Sequence, residues 1–317
     1  MDWKLPRDHF IHTLTTYAKD GSDIYIMSAD MGAESLDVFR EKFPDRFIYP
    51  GIAEQNAINV ACGLAQGGAH VFVMGMASFI TARCYEQIRY TAGMMNAPIN
   101  ILGIGVGFGY EDAGPAHYTN DDIGLMNLIP GMTIHNVFNE STAMRIASKC
   151  CDSVQSRSLV DKLTYIRVER RDIPMVSASK FYSGCTLYAD DEEDWSPSDT
   201  LLVCSGYTEH LMLKCRRVSE QDYGISVDAL HILEYPLTSI TKSVLVDYKN
   251  IIVLEEQNPA GATASIIRDA KIRDDHNVTH VGPDGYVFEN GGRDYIMDLC
   301  GLNVENVIKL IQAYQYD

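Results

Sequence analysis

The stretch FIYPGIAEQNAINVACGLAQGG, residues 47–68, determines much of the fold expected for this 317-residue chain. Small and apolar residues recur at helical spacing from Glu54 until a glycine pair ends the run, which predicts a helix. Short segments rich in β-forming residues lie on either side, at 23–28 and 70–74. A strand, a helix and a second strand in this order predict a parallel βαβ unit.

The same alternation continues along the chain and predicts an α/β protein with two doubly wound domains. Residues 1–175 alternate short apolar strands with helices, as expected for a parallel sheet covered on both faces. The pattern weakens at 176–198, where an acidic run followed by SPSD indicates an exposed linker. Residues 199–317 resume the alternation and predict a second, smaller α/β domain.

Composition and charge exclude several classes of protein. The 26 Lys and Arg against 43 Asp and Glu give a net charge of −17, and such an acidic surface repels nucleic acid. Apolar runs fall short of the roughly 18 residues that a membrane span needs, and the N-terminus does not resemble a signal peptide. The eight cysteines are scattered without a C-x-x-C pair, which favours reduced thiols and a cytoplasmic protein.

Glu54 is the first candidate functional residue. A carboxylate at a loop-to-helix junction is stabilised by the helix macrodipole, and its small neighbours leave room for a ligand. A glutamate that merely starts a helix gives the same local pattern, so the tripeptide alone leaves both interpretations open.

Two aromatic residues, Phe79 and Tyr85, follow the predicted strand at 70–74, and residues 81–95 are predicted to be helical. Ligands of open α/β sheets bind beyond the carboxyl ends of the strands, where aromatic side chains can flank a planar ring. Packing in the core explains these two aromatic residues as well as ligand binding does. Of the two, Tyr85 is the better candidate for a core residue.

The segment GIGVGFGYEDAGPAHYTNDDI, residues 103–123, has alternating glycines. No helix follows them directly, so they do not match a dinucleotide-binding loop. The segment instead predicts a loop that carries Asp112 and His117 near a strand end, where a histidine can transfer protons near neutral pH. Most single loop histidines have no such role, and the local sequence leaves this open.

In this order, the segments resemble the C-terminal two-thirds of transketolase. The resemblance implies a thiamine-diphosphate pyrimidine-binding domain followed by a transketolase C-terminal α/β domain. The motifs that carry it span nearly the whole chain: SAD at 28–30, FPDRFI at 43–48, GIAEQN at 51–56, ASF at 77–79, EQIR at 86–89, AGPAH at 113–117, DDI at 121–123, IPGMTI at 129–134 and VLEEQNPAG at 253–261.

The resemblance also implies how thiamine diphosphate is bound. The family's matching glutamate, here Glu54, hydrogen-bonds the ring nitrogen of the aminopyrimidine and so helps the exocyclic amine to remove the thiazolium proton. Phe79 matches the residue that stacks on this ring, and Tyr85 supports the same pocket. Asp30 is included among the cofactor-binding residues.

Three residues are expected to bind the substrate. His117 matches the histidine that hydrogen-bonds a donor-substrate hydroxyl or the developing oxyanion, and Asp112 lies in the same loop. Arg170, in YIRVERRDIP, matches the arginine that holds the substrate phosphate, for which its fork of donors is suited. The alternative for Arg170 is an exposed ion pair with Glu169 or Asp172.

The His117 loop departs from the family pattern at two positions. Where transketolases commonly have an acidic residue before the glycine, this chain has Ala113, with Asp112 one position earlier; the common threonine before the histidine is Ala116. Either a residue is inserted here or the acid is lost, and Ala116 deletes a hydroxyl donor from the site. This leaves room for a substrate other than the sugars of the pentose phosphate pathway.

The family's metal motif, G-D-G followed by an asparagine, is missing, and the nearest string, PDG at 283–285, lies in the second domain. Because the cofactor's diphosphate needs a divalent metal with oxygen ligands, we assign no metal ligand to this chain and expect a partner to hold the Mg²⁺ or Ca²⁺. The resemblance thus implies an N-terminal subunit that carries G-D-G, in an α2β2 heterotetramer with the cofactor between unlike subunits.

We therefore expect the C-terminal subunit of a split transketolase-like enzyme, active only with its partner, that transfers a two-carbon ketol unit from a ketose phosphate to an aldose. The alternatives are the beta subunit of a 2-oxo acid dehydrogenase, an enzyme of the deoxyxylulose phosphate synthase type, and a non-catalytic scaffold subunit. The GIAEQN and GPAH strings favour transketolase over the dehydrogenase. Retention of Glu54, Phe79 and His117 argues against a scaffold.

Overall fold

The computed structural model describes residues 3–155, 163–173, 180–189 and 196–315. The chain divides into two units. The first comprises residues 1–110 and 116–174, and the second comprises residues 111–115 and 175–317.

The six strands of the first unit form a parallel sheet in the order β5-β6-β4-β3-β1-β2. The elements of this unit, in chain order, are α1 (Pro6–Lys19), β1 (Ile24–Ser28), α2 (Glu34–Lys42), a 3₁₀ turn (Pro44–Arg46), β2 (Phe47–Ile48), α3 (Glu54–Gln66), β3 (His70–Met76), α4 (Ala77–Ile80), α5 (Tyr85–Gln87), a π-helix (Ile88–Met94), β4 (Ile99–Ile104), α6 (Asp122–Asn127), β5 (Met132–Val137), α7 (Glu140–Gln155) and β6 (Leu163–Val168).

The core of the first unit lies where α1 and α7 pack against the sheet. Phe10 of α1 and Phe72 of β3 meet edge to face with ring centroids 6.1 Å apart, and both are buried. Ile146 of α7 and Ile166 of β6 belong to the same apolar cluster. Each such side chain stabilises the fold by about 1.5–3 kcal/mol relative to an exposed one.

A buried ion pair fixes the start of α6. Asp122, which is 0% exposed, accepts a hydrogen bond from Arg167 Nε at 2.7 Å and another from the Tyr165 hydroxyl at 2.7 Å. Arg167 also donates from Nη1 to Asn136 at 2.7 Å. Because a charge in the core is stable only when paired and hydrogen-bonded, these contacts hold α6 against β5 and β6.

The second unit contains a mixed sheet in the order β13-β12-β9-β10-β8-β7, in which β8 runs antiparallel to both β10 and β7. The predicted α/β fold class is confirmed. The elements of the second unit, in chain order, are β7 (Lys180–Tyr182), β8 (Cys185–Tyr188), β9 (Thr200–Cys204), a 3₁₀ turn (Gly206–Thr208), α8 (Glu209–Tyr223), β10 (Asp228–Ile232), β11 (Glu234–Tyr235), α9 (Ser239–Leu245), β12 (Asn250–Leu254), α10 (Thr263–Asp269), β13 (Asn277–Val281), α11 (Arg293–Leu299) and α12 (Val304–Tyr314).

The structure differs from the sequence expectation within the predicted linker, 176–198. Residues 180–188 form the β7–β8 hairpin, and all four residues of β8 are buried. The strands are too short to give a clear alternation of their own, and β8 takes its place in the sheet by pairing with β10 on one side and β7 on the other. The acidic run at 190–194 lies outside the described residues.

Within the described ranges, the helices are all too short or too polar to cross a membrane. All eight cysteines are free thiols, and seven of them are buried.

His70 makes the stability of the fold depend on pH. It is buried on β3, where its Nε2 lies 3.1 Å from the Asn100 amide nitrogen, and burial lowers its pKa to about 4. The native state therefore keeps the ring neutral at a pH where the unfolded chain binds a proton, and its contribution is complete above about pH 6.5 and lost toward pH 4.

We expect the free energy of unfolding to fall by about 2 kcal/mol between pH 7 and pH 5 because of His70 alone. Urea denaturation across this range measures the change. In His70→Gln this part of the slope should disappear, whereas replacing the exposed His210 by Gln should leave it in place. An unchanged slope in His70→Gln would contradict the assignment.

Candidate functional site

Glu54 is the first residue of α3 and is only 4% exposed. Its two carboxylate oxygens accept hydrogen bonds from Arg83 Nη1 at 3.3 Å and 3.2 Å. The position in the first helical turn also places the negative charge at the positive end of the macrodipole. A helix start and a nearby cation thus stabilise a carboxylate that burial would otherwise disfavour.

Arg83 connects Glu54 to Phe79. Its guanidinium carbon lies 4.2 Å from the centroid of the Phe79 ring, a cation–π distance. The side chain of Gln55 donates to the Arg83 carbonyl at 3.1 Å, which holds the backbone of this turn beside α3. Sequence reasoning missed Arg83, because 29 residues separate it from Glu54 and only the folded chain brings the two together.

His117 also contacts Phe79. Its ring centroid is 5.2 Å from that of Phe79 and 6.1 Å from that of Tyr110. Among the described residues, the buried His117 Nδ1 and Ser78 Oγ have no hydrogen-bond partner. Buried polar atoms are normally satisfied, so these two atoms favour a polar ligand or a bound water at this place.

Arg170 completes the arrangement through Tyr110. It donates from Nη1 to the Gly109 carbonyl at 3.3 Å, and its guanidinium carbon lies 4.5 Å from the Tyr110 ring centroid. Four predicted site residues, Glu54, Phe79, His117 and Arg170, are therefore joined in one row by Arg83 and Tyr110.

The row lies close to the carboxyl ends of β3 and β4. Phe79 is in α4, which directly follows β3, and the segment after β4 leads to Tyr110. The thiol of Cys84 donates to the Phe79 carbonyl at 3.3 Å, so a buried cysteine adjoins the same turn. This is the edge at which open α/β sheets bind ligands.

Tyr85 lies at a surface groove. It lines a groove of about 550 Å³ together with Arg89, Tyr90, Met94 and Leu128, and the lining includes neither Glu54 nor Phe79. The helix predicted for 81–95 is interrupted, because residues 81–84 form a turn and residues 88–94 form a π-helix. A π-helix arises from tertiary packing and often adjoins a functional site.

The remaining two predicted residues, Asp30 and Asp112, are both exposed. Asp30 is exposed directly after β1 and has a left-handed backbone with φ of 50°. Asp112 is exposed in residues 111–115, which belong to the second unit. Within the part of the chain that the structure describes, no group of three His, Cys, Asp or Glu side chains could hold a metal ion.

The structure explains why position 105, one of the alternating glycines, is occupied by glycine. Its φ is +78°, and a Cβ atom there would come within 2.2 Å of the Tyr110 ring. Glycine therefore lets Tyr110 fold back over the end of β4, where its ring meets both His117 and Arg170.

These features define an α/β protein whose first unit can hold a planar, nitrogen-containing ring. The Glu54 carboxylate can bond to a ring nitrogen, the Phe79 face can stack on the ring, and the unpaired His117 Nδ1 can bond to a polar group beside it. This donor and acceptor set fits the pyrimidine half of thiamine diphosphate.

Comparison with known proteins leads to the same family. Residues 6–160 match the transketolase pyrimidine-binding domain family. The chain is 28% identical over 317 residues to one of the subunits of apulose-4-phosphate transketolase from Phocaeicola vulgatus, covering 96% of this chain and 95% of that protein. It is 25% identical over 311 residues to 1-deoxy-D-xylulose-5-phosphate synthase of Mycobacterium tuberculosis, of which it spans 47%.

The fold is also that of solved transketolases. A split gene transketolase described as an inactive beta4 tetramer superposes with a TM-score of 0.76 at 21% identity, with 98% of each chain covered. Transketolase from Leishmania mexicana gives a TM-score of 0.78 at 14% identity, with 99% of this chain and 46% of that chain covered. Residues 6–160 thus match the transketolase pyrimidine-binding domain, and the predicted resemblance of the chain to the C-terminal section of transketolase is confirmed.

Gly105→Ala tests how Tyr110 is positioned. We expect it to destabilise the fold by about 2 kcal/mol more than Gly131→Ala, because both glycines have a positive φ but only Gly105 has Tyr110 in the way of a Cβ. Denaturation curves of the two variants measure the difference. Equal losses would show that Tyr110 does not need Gly105.

Proposed function

We propose that this chain is the C-terminal subunit of a split, thiamine-diphosphate-dependent transketolase-like enzyme. The assembled enzyme transfers a two-carbon ketol unit from a ketose phosphate donor to an aldose acceptor. The observation that carries the proposal is the buried Glu54 carboxylate at the start of α3, one guanidinium away from the Phe79 ring.

The partner is proposed to be an N-terminal subunit that carries the G-D-G motif and holds Mg²⁺ or Ca²⁺ on the cofactor's diphosphate. The Phocaeicola vulgatus relative, itself a subunit of its enzyme and of nearly the same extent as this chain, supports a divided enzyme. The inactive state of the beta4 tetramer in the split gene transketolase supports dependence on a second type of subunit. We propose an α2β2 heterotetramer that acts in cytoplasmic carbohydrate metabolism.

Glu54 and Phe79 would hold the pyrimidine of thiamine diphosphate, which would supply the carbon nucleophile that transfer of a two-carbon unit needs. Glu54 then shares a proton with the ring nitrogen, and its burial keeps that hydrogen bond away from water. The Phe79 face orients the ring. The His117 imidazole hydrogen-bonds an oxygen of the substrate as charge develops there, which lowers the energy of the transition state.

Arg170 is proposed to hold the phosphate of the sugar. The Gly109 carbonyl and the Tyr110 ring both contact its guanidinium, so its orientation is already restricted. A pre-oriented arginine fork loses less side-chain entropy when it binds phosphate bidentately.

The deoxyxylulose phosphate synthase reaction is the second candidate, favoured by the 25% identity over 96% of this chain. The two reactions share the cofactor and differ in the donor, since the synthase decarboxylates pyruvate. Assaying the assembled pair with ketose phosphates and with pyruvate distinguishes them. Turnover with pyruvate as the donor, and none with ketose phosphates, would favour the synthase.

Glu54→Gln tests the catalytic assignment. We expect ketol transfer by the assembled pair to fall by about 100-fold or more, because an amide cannot exchange a proton with the ring nitrogen. The control is Glu86→Gln, which changes an exposed carboxylate of α5. A rate near that of the wild type in Glu54→Gln would refute the role of Glu54.

Arg170→Ala tests recognition of phosphate. We expect the KM for phosphorylated donors to rise by about tenfold or more, with a much smaller change for unphosphorylated donors. Arg171→Ala, which removes the adjacent exposed arginine, serves as the control. Equal effects on both kinds of donor would exclude a phosphate contact.

A further inference from the structure

We propose that Arg83 is an internal competitor of the cofactor's aminopyrimidine ring, and that it must leave Glu54 before thiamine diphosphate can bind. This inference rests on the proposed function. Its evidence is that a single guanidinium makes both contacts that the ring would need. Arg83 bonds to both oxygens of Glu54 and lies 4.2 Å from the Phe79 ring centroid.

The two competitors are chemically alike. A guanidinium is flat, presents N–H donors at its edge and stacks on aromatic faces. An aminopyrimidine that has taken up a proton on its ring nitrogen is also flat and also presents an N–H donor to a carboxylate. Because both need the Glu54 carboxylate and the Phe79 face, they cannot occupy the same place together.

The burial of Glu54 gives Arg83 a physical reason to be there. A buried carboxylate without a counter-charge is strongly unfavourable, so the helix start at Glu54 needs a cation whenever no ring nitrogen shares a proton with it. Arg83 meets this need. The competition is therefore built into the stability of the chain and does not depend on a second ligand.

Arg83 is also able to leave. Its side chain is 46% exposed, so the guanidinium can rotate into water without losing hydration. Its backbone lies in the turn at 81–84, outside α4 and α5, and Gln55 fixes that backbone through the Arg83 carbonyl. Side-chain rotation is thus enough to open the site, and no helix has to unfold.

The affinity for the cofactor should be reduced by the fraction of molecules in which Arg83 occupies the site. An ion pair and a cation–π contact at a half-exposed position predict a reduction of about tenfold. Arg83→Ala should therefore bind thiamine diphosphate about tenfold more tightly than the wild type. Arg83→Lys keeps the charge but not the flat fork, and its affinity should lie between the two.

The test is calorimetric titration of thiamine diphosphate with Mg²⁺ into the chain assembled with an N-terminal transketolase subunit that carries G-D-G. Arg40→Ala is a matched control. Arg40 also pairs with a carboxylate, Asp37, at 2.8 Å, and its guanidinium lies 6.0 Å from the Phe47 ring centroid, but it belongs to α2 and not to the turn that contacts Glu54. The affinity of Arg40→Ala for the cofactor should equal that of the wild type.

A second titration supplies free guanidinium in place of the side chain that Arg83→Ala lacks. Guanidinium chloride at millimolar, non-denaturing concentration should weaken cofactor binding by Arg83→Ala toward the wild-type value, because the free ion fits between Glu54 and Phe79. It should leave binding by the wild type and by Arg40→Ala unchanged. This readout requires no catalytic turnover.

The outcomes separate the two proposals. Equal or weaker cofactor binding by Arg83→Ala, or no selective effect of guanidinium on this variant, would overturn the competition while leaving the proposed function intact. Absence of binding by the wild type and by every variant would overturn the proposed function, and the competition with it.

Discussion

The buried ion pair between Asp122 and Arg167 is the contact on which the first unit's site depends. Arg167 lies on β6 inside the sheet, and Asp122 begins α6 at the end of the segment that carries Tyr110 and His117. Breaking a buried pair by removing one partner costs about 3–5 kcal/mol, so the end of this segment is firmly held. Tyr110 and His117 can therefore keep their places in the row although they lie on irregular backbone.

Glu54 shows a different use of the same physics. Asp122 has a cation that is itself buried, whereas the cation of Glu54 is almost half exposed and sits in a turn. The first pair is closed to solvent on both sides and serves structure. The second can be exchanged, which suits the cofactor-binding role that we propose for Glu54.

Sequence patterns were sufficient for elements with a clear period. The helix at Glu54 and the strands β1 and β3 follow from apolar spacing and glycine stops, and the expectation that ligands bind beyond strand ends pointed to Phe79 and His117. Arg83 and Tyr110 could not be found in this way, since their roles arise from contacts between segments distant in sequence. The π-helix at 88–94 and the β7–β8 hairpin likewise depend on packing against neighbours, because neither has a distinct local pattern.

The cysteine beside Phe79 has a chemical consequence for the proposed reaction, in which an aldose is the acceptor. Burial, reinforced by the negative charge of Glu54, raises the pKa of Cys84 to about 12, and its proton is directed at the Phe79 carbonyl. The thiolate is the form that attacks electrophiles, and at neutral pH almost none is present. In the reaction that we propose, an aldose therefore approaches the Glu54 pocket without being trapped there as a thiohemiacetal.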